Sequence, residues 1–128
     1  MREQHKQLVN NMFIINCKNY NEISGEKINK LASIAEKISK KHKIQIALAP
    51  PHHQLASIKK SKLLVFAQHL DDAKVGSTTG YMIPEIVKKS KVNGALINHS
   101  EHRISSKEIT NLVKRLKKLK MKTVVCVK

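Results

Sequence analysis

The stretch GALINHSEHR, residues 94–103, runs four apolar residues straight into a cluster of polar and ionisable ones. Four apolar residues without alternation fit a strand buried on both faces, the form strands take in parallel sheets. Parallel α/β folds collect functional side chains where a strand ends and its loop to the next helix begins. Asn98 and His99 stand at that point. The fold then depends on whether the chain repeats the pattern.

It does so four more times. MFII (12–15), IQIALA (44–49), LLVFA (63–67) and TVVCV (123–127) are short, nearly continuous apolar runs. Helical periodicity fills the gaps between them. Ile28, Leu31, Ala35 and Ile38 recur at three- and four-residue intervals and predict a helix over 26–41. Ile109, Leu112, Val113, Leu116 and Leu119 predict a second, opened by a Ser105–Glu108 capping box. Pro84 suits the first turn of a helix carrying Ile86 and Val87, and a weaker helix is expected after Pro50–Pro51. The order β-α-β-α-β-α-β-α-β defines an α/β protein with a parallel sheet of about five strands and four helices. Pattern alone allows both a doubly wound sheet and part of a (β/α)8 barrel.

Composition narrows the functional classes. The 128 residues suit one domain, and a 41% hydrophobic fraction with three prolines argues against disorder. No apolar run approaches the roughly 20 residues of a membrane span, and the polar start MREQHKQLVNNM lacks a secretory signal. Cys17 and Cys126 form neither a metal pattern nor a disulfide framework and fit small buried hydrophobes, so the expected compartment is the cytoplasm. A net charge of +16 invites a nucleic-acid reading. Against it, the basic residues are almost all lysines, with arginine only at 2, 103 and 115, and aromatics are 3% of the chain. The lysines of KISKKHK, KKSK and KRLKKLK interleave with apolar helical positions and fit solvated helix faces.

Three strand ends offer chemistry. Asn16 and Lys18 close the first run two residues apart, so in an extended strand both project to one face and Cys17 to the other. An ammonium and a carboxamide there suit an anionic, oxygen-rich ligand, or are ordinary polar residues ending a strand. His99 ends the fourth run, where an imidazole can donate to a carbonyl or enediolate oxygen, or is simply a polar residue at a strand end. A metal site from His99, Glu101 and His102 is weakly supported, and adjacent His52 and His53 are expected to point apart. The long loop HLDDAKVGSTTGY, residues 69–81, has the length of a binding or interface element but lacks the spacing of a nucleotide P-loop. No G-x-G-x-x-G supports a dinucleotide.

In order, INCKNY, IALAPP, VFAQHLD, GSTTGYMIPE, GALINHSEHR and KTVVCV resemble the first half of the triosephosphate isomerase family, in its short archaeal form. The resemblance covers residues 12–128, read as an incomplete TIM-barrel domain, and leaves 1–11 as a polar N-terminal extension. It implies interconversion of dihydroxyacetone phosphate and D-glyceraldehyde 3-phosphate through an enediolate, with a phosphorylated triose as partner and no metal or organic cofactor. By the same resemblance His99 is the electrophile; its neutral imidazole is a property of the family and is not read from the pattern. Lys18 supplies electrostatic stabilisation and binds substrate with Asn16, Glu101 holds Lys18, and Ser100 contacts the catalytic glutamate. Gly76, Thr78, Thr79 and Gly80 belong to a loop that enters a neighbouring subunit, which implies a homo-oligomer.

Two departures follow. His102 stands where the family commonly has arginine, which puts a structural ion pair in doubt. The family's catalytic glutamate follows a sixth strand, and no glutamate here has a matching context; a whole barrel needs roughly 250 residues. The 128-residue chain is therefore expected to be inactive alone, with its first and fifth strands as open edges. The alternative is a non-catalytic, basic half-barrel that binds anions or nucleic acid.

Overall fold

The computed structural model describes residues 11–58 and 62–127. The expected N-terminal extension lies outside the described residues, save for Asn11. Five strands form one parallel sheet in the order β1-β2-β3-β4-β5: β1 Met12–Asn16, β2 Gln45–Ala49, β3 Leu64–Ala67, β4 Gly94–Ile97 and β5 Lys122–Val125. The helices are α1 Lys27–His42, α2 Pro84–Val87 and α3 Ser106–Lys118. The weaker helix expected after Pro50–Pro51 is present as a 3₁₀ helix over His52–Ser57.

Strand alternation sorts the side chains into two layers. Ile46, Leu48, Val65, Ala67, Ala95 and Ile97 point to the helices and join Ile28, Leu112 and Leu116 in the main core. Ala47, Ala49, Phe66 and Leu96 point the other way and form a second apolar cluster on the concave face, with Met12, Leu64 and Val124 against it. Two buried faces explain the unbroken apolar runs. The outer strands differ. Phe13 is 63% exposed on β1 and Val127 is 80% exposed beyond β5, because each borders an open edge of the sheet.

The helices form for local reasons. Ser105 accepts the Glu108 N–H and Glu108 returns the bond to the Ser105 N–H, which closes the capping box of α3. Leu112 and Leu116 on its inner face are fully buried, each worth about 1.5–3 kcal/mol. Pro84 opens α2, where no intrahelical N–H is needed. In α1 the buried stripe is Ile28, Ala32 and Ala35, while Ile38, expected to continue it, stands half exposed beside Ile34.

Asn93 splices the sheet just before β4. Its Oδ1 accepts the Val65 N–H at 2.8 Å, its N–H donates to Val65 O at 2.7 Å, and its carbonyl takes the Lys122 N–H at 2.8 Å. No helix of the described residues is long and apolar enough to cross a membrane.

Candidate active site

The C-terminal ends of β1, β3 and β4 border one cleft of about 530 Å³. Strand β1 ends at Asn16, whose Oδ1 accepts the Lys18 N–H at 3.0 Å. Lys18 is then not in the strand. Its φ of +52° puts it in the left-handed region, sparsely used by residues with a side chain. Asn16 and Lys18 both line the cleft, but a turn delivers Lys18 rather than the alternation of an extended strand. Cys17 lies on the opposite side, buried among the helix-facing residues, and burial raises its thiol pKa.

The end of β4 is built around Asn98. This residue also has a left-handed φ, +64°, which asparagine tolerates better than most. Its Oδ1 accepts the Ile104 N–H at 3.0 Å and its Nδ2 donates to Cys126 O at 3.1 Å. Cys126, expected inside a buried strand, instead follows β5 and is half-buried. The turn presents His99, whose Nδ1 accepts the Glu101 N–H at 3.0 Å. A ring nitrogen that accepts carries no proton, so the neutral ring holds its proton on Nε2.

Glu101 also reaches across to β1. Its Oε2 lies 3.2 Å from Lys18 Nζ, with side-chain exposures of 60% and 37%. A pair this open contributes only about 0–1 kcal/mol to stability. Its consequence is geometric: Glu101 lies between the ammonium and the imidazole, with its other oxygen 3.5 Å from His99 Nδ1.

The loop that leaves β3 supplies two residues that the motifs alone do not single out, Gln68 and His69. Gln68 Nε2 donates to Lys18 O at 3.0 Å and to Ala49 O at 3.1 Å. His69 is buried, bonds Asp71 Oδ1 through Nε2 at 2.9 Å and stacks on His102. The strand-end rule that found Asn16 and His99 applies equally to Gln68 and could have found it. His52 and His53, expected to point apart, both border the cleft. Burial, and then repulsion from His69, lowers the pKa values of both His52 and His102.

The remaining expected residues lie elsewhere. Ser100 is exposed and is not in the cleft wall. Gly76, Thr78, Thr79 and Gly80 are exposed in the long loop, with Gly76 and Gly80 at φ +142° and +83°. The loop is closed at its base. Asp71 N–H donates to Met82 O at 2.9 Å, and Met82 N–H donates to Asp71 Oδ2 at 2.7 Å. Arg115 on α3 adds ion pairs to Asp72 and Glu85.

The cleft gathers an ammonium, an imidazole N–H and a carboxamide, with one carboxylate, Glu101, already engaged by the ammonium. That set suits an anionic ligand rich in oxygen. It is a poor metal site, because His99 Nδ1 is occupied and the His102 ring lies flat on His69. No three His, Cys, Asp or Glu side chains among the described residues are placed to hold a metal ion.

Fold and site together define a half (β/α)-barrel, with five consecutive parallel strands and a cleft lined by Asn16, Lys18 and His99 at their C-terminal ends. Comparison with known proteins makes this specific. The family model described as triosephosphate isomerase matches residues 11–128. A triosephosphate isomerase of Cenarchaeum symbiosum is 54% identical over 117 residues, covering 91% of this chain and 53% of the relative. One from Saccharolobus solfataricus is 38% identical, with 91% and 52% covered. The crystal structure of triosephosphate isomerase from Bartonella henselae superposes with a TM-score of 0.75 at 21% identity, covering 91% of this chain and 51% of that one. The chain belongs to the triosephosphate isomerase family. It spans about half the length of the curated relatives it matches. Nothing in the comparisons supports the alternative of a nucleic-acid or anion-binding module.

Proposed function

We propose that these residues form the carbonyl-polarising half of a triosephosphate isomerase site, acting on dihydroxyacetone phosphate and D-glyceraldehyde 3-phosphate in cytoplasmic glycolysis and gluconeogenesis. One observation carries the reading: the Lys18 ammonium and the His99 imidazole share one cleft, joined through Glu101. With Nδ1 occupied, Nε2–H is the donor that His99 offers to a substrate carbonyl.

Removal of the proton beside that carbonyl puts negative charge on its oxygen. The Nε2–H bond stabilises this enediolate oxygen, and the ring exchanges its proton between the two neighbouring oxygens. Lys18 is assigned to offset the charge of both the enediolate and the phosphate, without reorganisation at the moment of reaction. Asn16 orients the substrate. Glu101 is not assigned as the base, since Lys18 engages it; the base is placed after a sixth strand, beyond residue 128. Ser100 is assigned to contact that base. The loop bearing Gly76, Thr78, Thr79 and Gly80 is assigned to a subunit contact in a homo-oligomer.

A chimera tests the reading. Residues 1–128 are joined to the second half of the Cenarchaeum symbiosum relative, and isomerase turnover is measured after removal of host enzyme. The chimera is expected to be active and to lose about 10²–10⁴-fold on His99→Ala, the usual range for one acid–base group. The 128-residue chain alone is expected to be inactive. An inactive but folded chimera, or one indifferent to His99→Ala, would sink the proposal.

A further inference from the structure

We propose that Gln68 is a positioning residue for Lys18: its side-chain amide holds the Lys18 peptide in the left-handed turn that aims the ammonium into the cleft. The inference rests on the proposed function of Lys18 as the group that meets the substrate's negative charge.

Gln68 is the first residue after β3, and the two N–H groups of its Nε2 are both used, on Lys18 O at 3.0 Å and on Ala49 O at 3.1 Å. Ala49 ends β2, and its carbonyl also accepts the Cys17 N–H at 3.0 Å. One side chain thus joins the ends of β1, β2 and β3. On the other side of Lys18, Asn16 Oδ1 takes its N–H at 3.0 Å. Both peptide groups flanking the +52° torsion are therefore fixed by side chains. A non-glycine residue persists in that region only where its surroundings over-determine it.

Other candidates for this task are weaker. The Lys18–Glu101 pair is open to water on both sides and fixes a side-chain head, not a backbone. Both N–H groups of the Gln68 side chain are engaged by backbone carbonyls, one of them that of Lys18. Its position is set in turn by β3, whose Phe66 and Ala67 are fully buried.

Two measurements on the 128-residue chain test this. The first is backbone ¹⁵N relaxation. Lys18 is expected to be as ordered as the strands in the wild type, with an order parameter of about 0.85, and to fall below about 0.6 in Gln68→Met while the strands stay unchanged. Equal order at Lys18 in both chains overturns the inference. The second is titration with sn-glycerol 3-phosphate, a three-carbon phosphate ester that cannot react. Gln68→Met is expected to weaken binding about tenfold, and to have no further effect in a Lys18→Met background. A Gln68→Met effect that persists in full without the Lys18 ammonium overturns the inference, because the residue then acts by another route. If the wild type binds the ester no better than Lys18→Met, the proposed function fails, and the Lys18 order parameter alone decides the role of Gln68. Should Gln68→Met not fold, the wild type is probed by scalar coupling across the hydrogen bonds. Coupling from Gln68 Nε2 to the carbonyl carbons of Lys18 and Ala49 supports the clamp, and its absence overturns it.

Discussion

The imidazole rings of His69 and His102 lie face to face, with centroids 3.6 Å apart and planes within 10° of parallel. His52 stands 6.2 Å from His69 on the same cluster. Asp71 bonds His69, and His53 adds a further positive charge when protonated. A proton gained by His52 or His102 therefore puts positive charge against neighbouring rings.

A pH dependence follows. Burial and neighbouring histidines hold His52 and His102 below their ordinary value of 6.5 in the folded chain. The unfolded chain then binds protons more readily, so the stabilisation is complete above pH 6.5 and is lost as pH falls through the lowered values. Asp71 adds a second, more acid window. Burial would raise its carboxyl, but hydrogen bonds from Met82 N–H and His69 outweigh this and hold it below 3.8. Urea midpoints are expected to fall between pH 7.5 and pH 5.5, and His102→Gln is expected to flatten that fall. An unchanged slope in His102→Gln would exclude the stack as its source.

Asp71 also closes the neck of the long loop, with its carboxylate on both Met82 N–H and His69 Nε2. Asp71→Ala leaves the Met82 N–H without that acceptor and is expected to cost about 1–3 kcal/mol. Amide exchange over residues 72–81 is expected to accelerate more than exchange in the strands. Uniform acceleration would mean that the loop has no local anchor here.

Gly94 is required by the sheet. A Cβ there would sit 2.5 Å from Lys122 O and 2.9 Å from Phe66 Cε1. The first is backbone of the neighbouring strand, and the second belongs to the largest side chain of the concave cluster. Gly94→Ala is expected to destabilise by about 1–3 kcal/mol. A chemical denaturation midpoint equal to that of the wild type would show that the strands can separate to accept a methyl group.

Lys43 and Lys120 follow α1 and α3 with φ of +53° and +60°, positions where glycine is the usual residue. Lys43→Gly is expected to raise stability by about 0.5–1 kcal/mol, while Lys43→Ala, which removes the same charge but keeps a Cβ, is not. Equal effects of the two would assign the change to charge instead of backbone strain.

The fold was legible because its signals are local. Unbroken apolar runs need only two buried faces, the Ser105–Glu108 box spans one turn, and Pro84 needs only a helix start. The exposure of Ile38 and the 3₁₀ form of the helix after Pro51 were not legible, for the opposite reason. Periodicity marks an apolar stripe but not what covers it, and a short proline-led turn tightens to 3₁₀ when the next strand must begin soon after. The site was half legible. Asn16, Lys18, His99 and Glu101 stand out in motifs, whereas Gln68 makes bonds to residues 19 and 50 positions away.

By itself the sequence determined the order of strands and helices, the family resemblance and the residue types available at each strand end. Only the tertiary structure decided which of the seven histidines share a cleft, that Lys18 arrives there through a left-handed turn, and which side chain holds that turn in place. The physical reason is range. Hydrophobic periodicity and capping act over one or two turns of chain, while the cleft is made where β1 to β4 end side by side after long crossovers. Its geometry is a property of the assembled sheet, and the residues that fix it are neighbours only there.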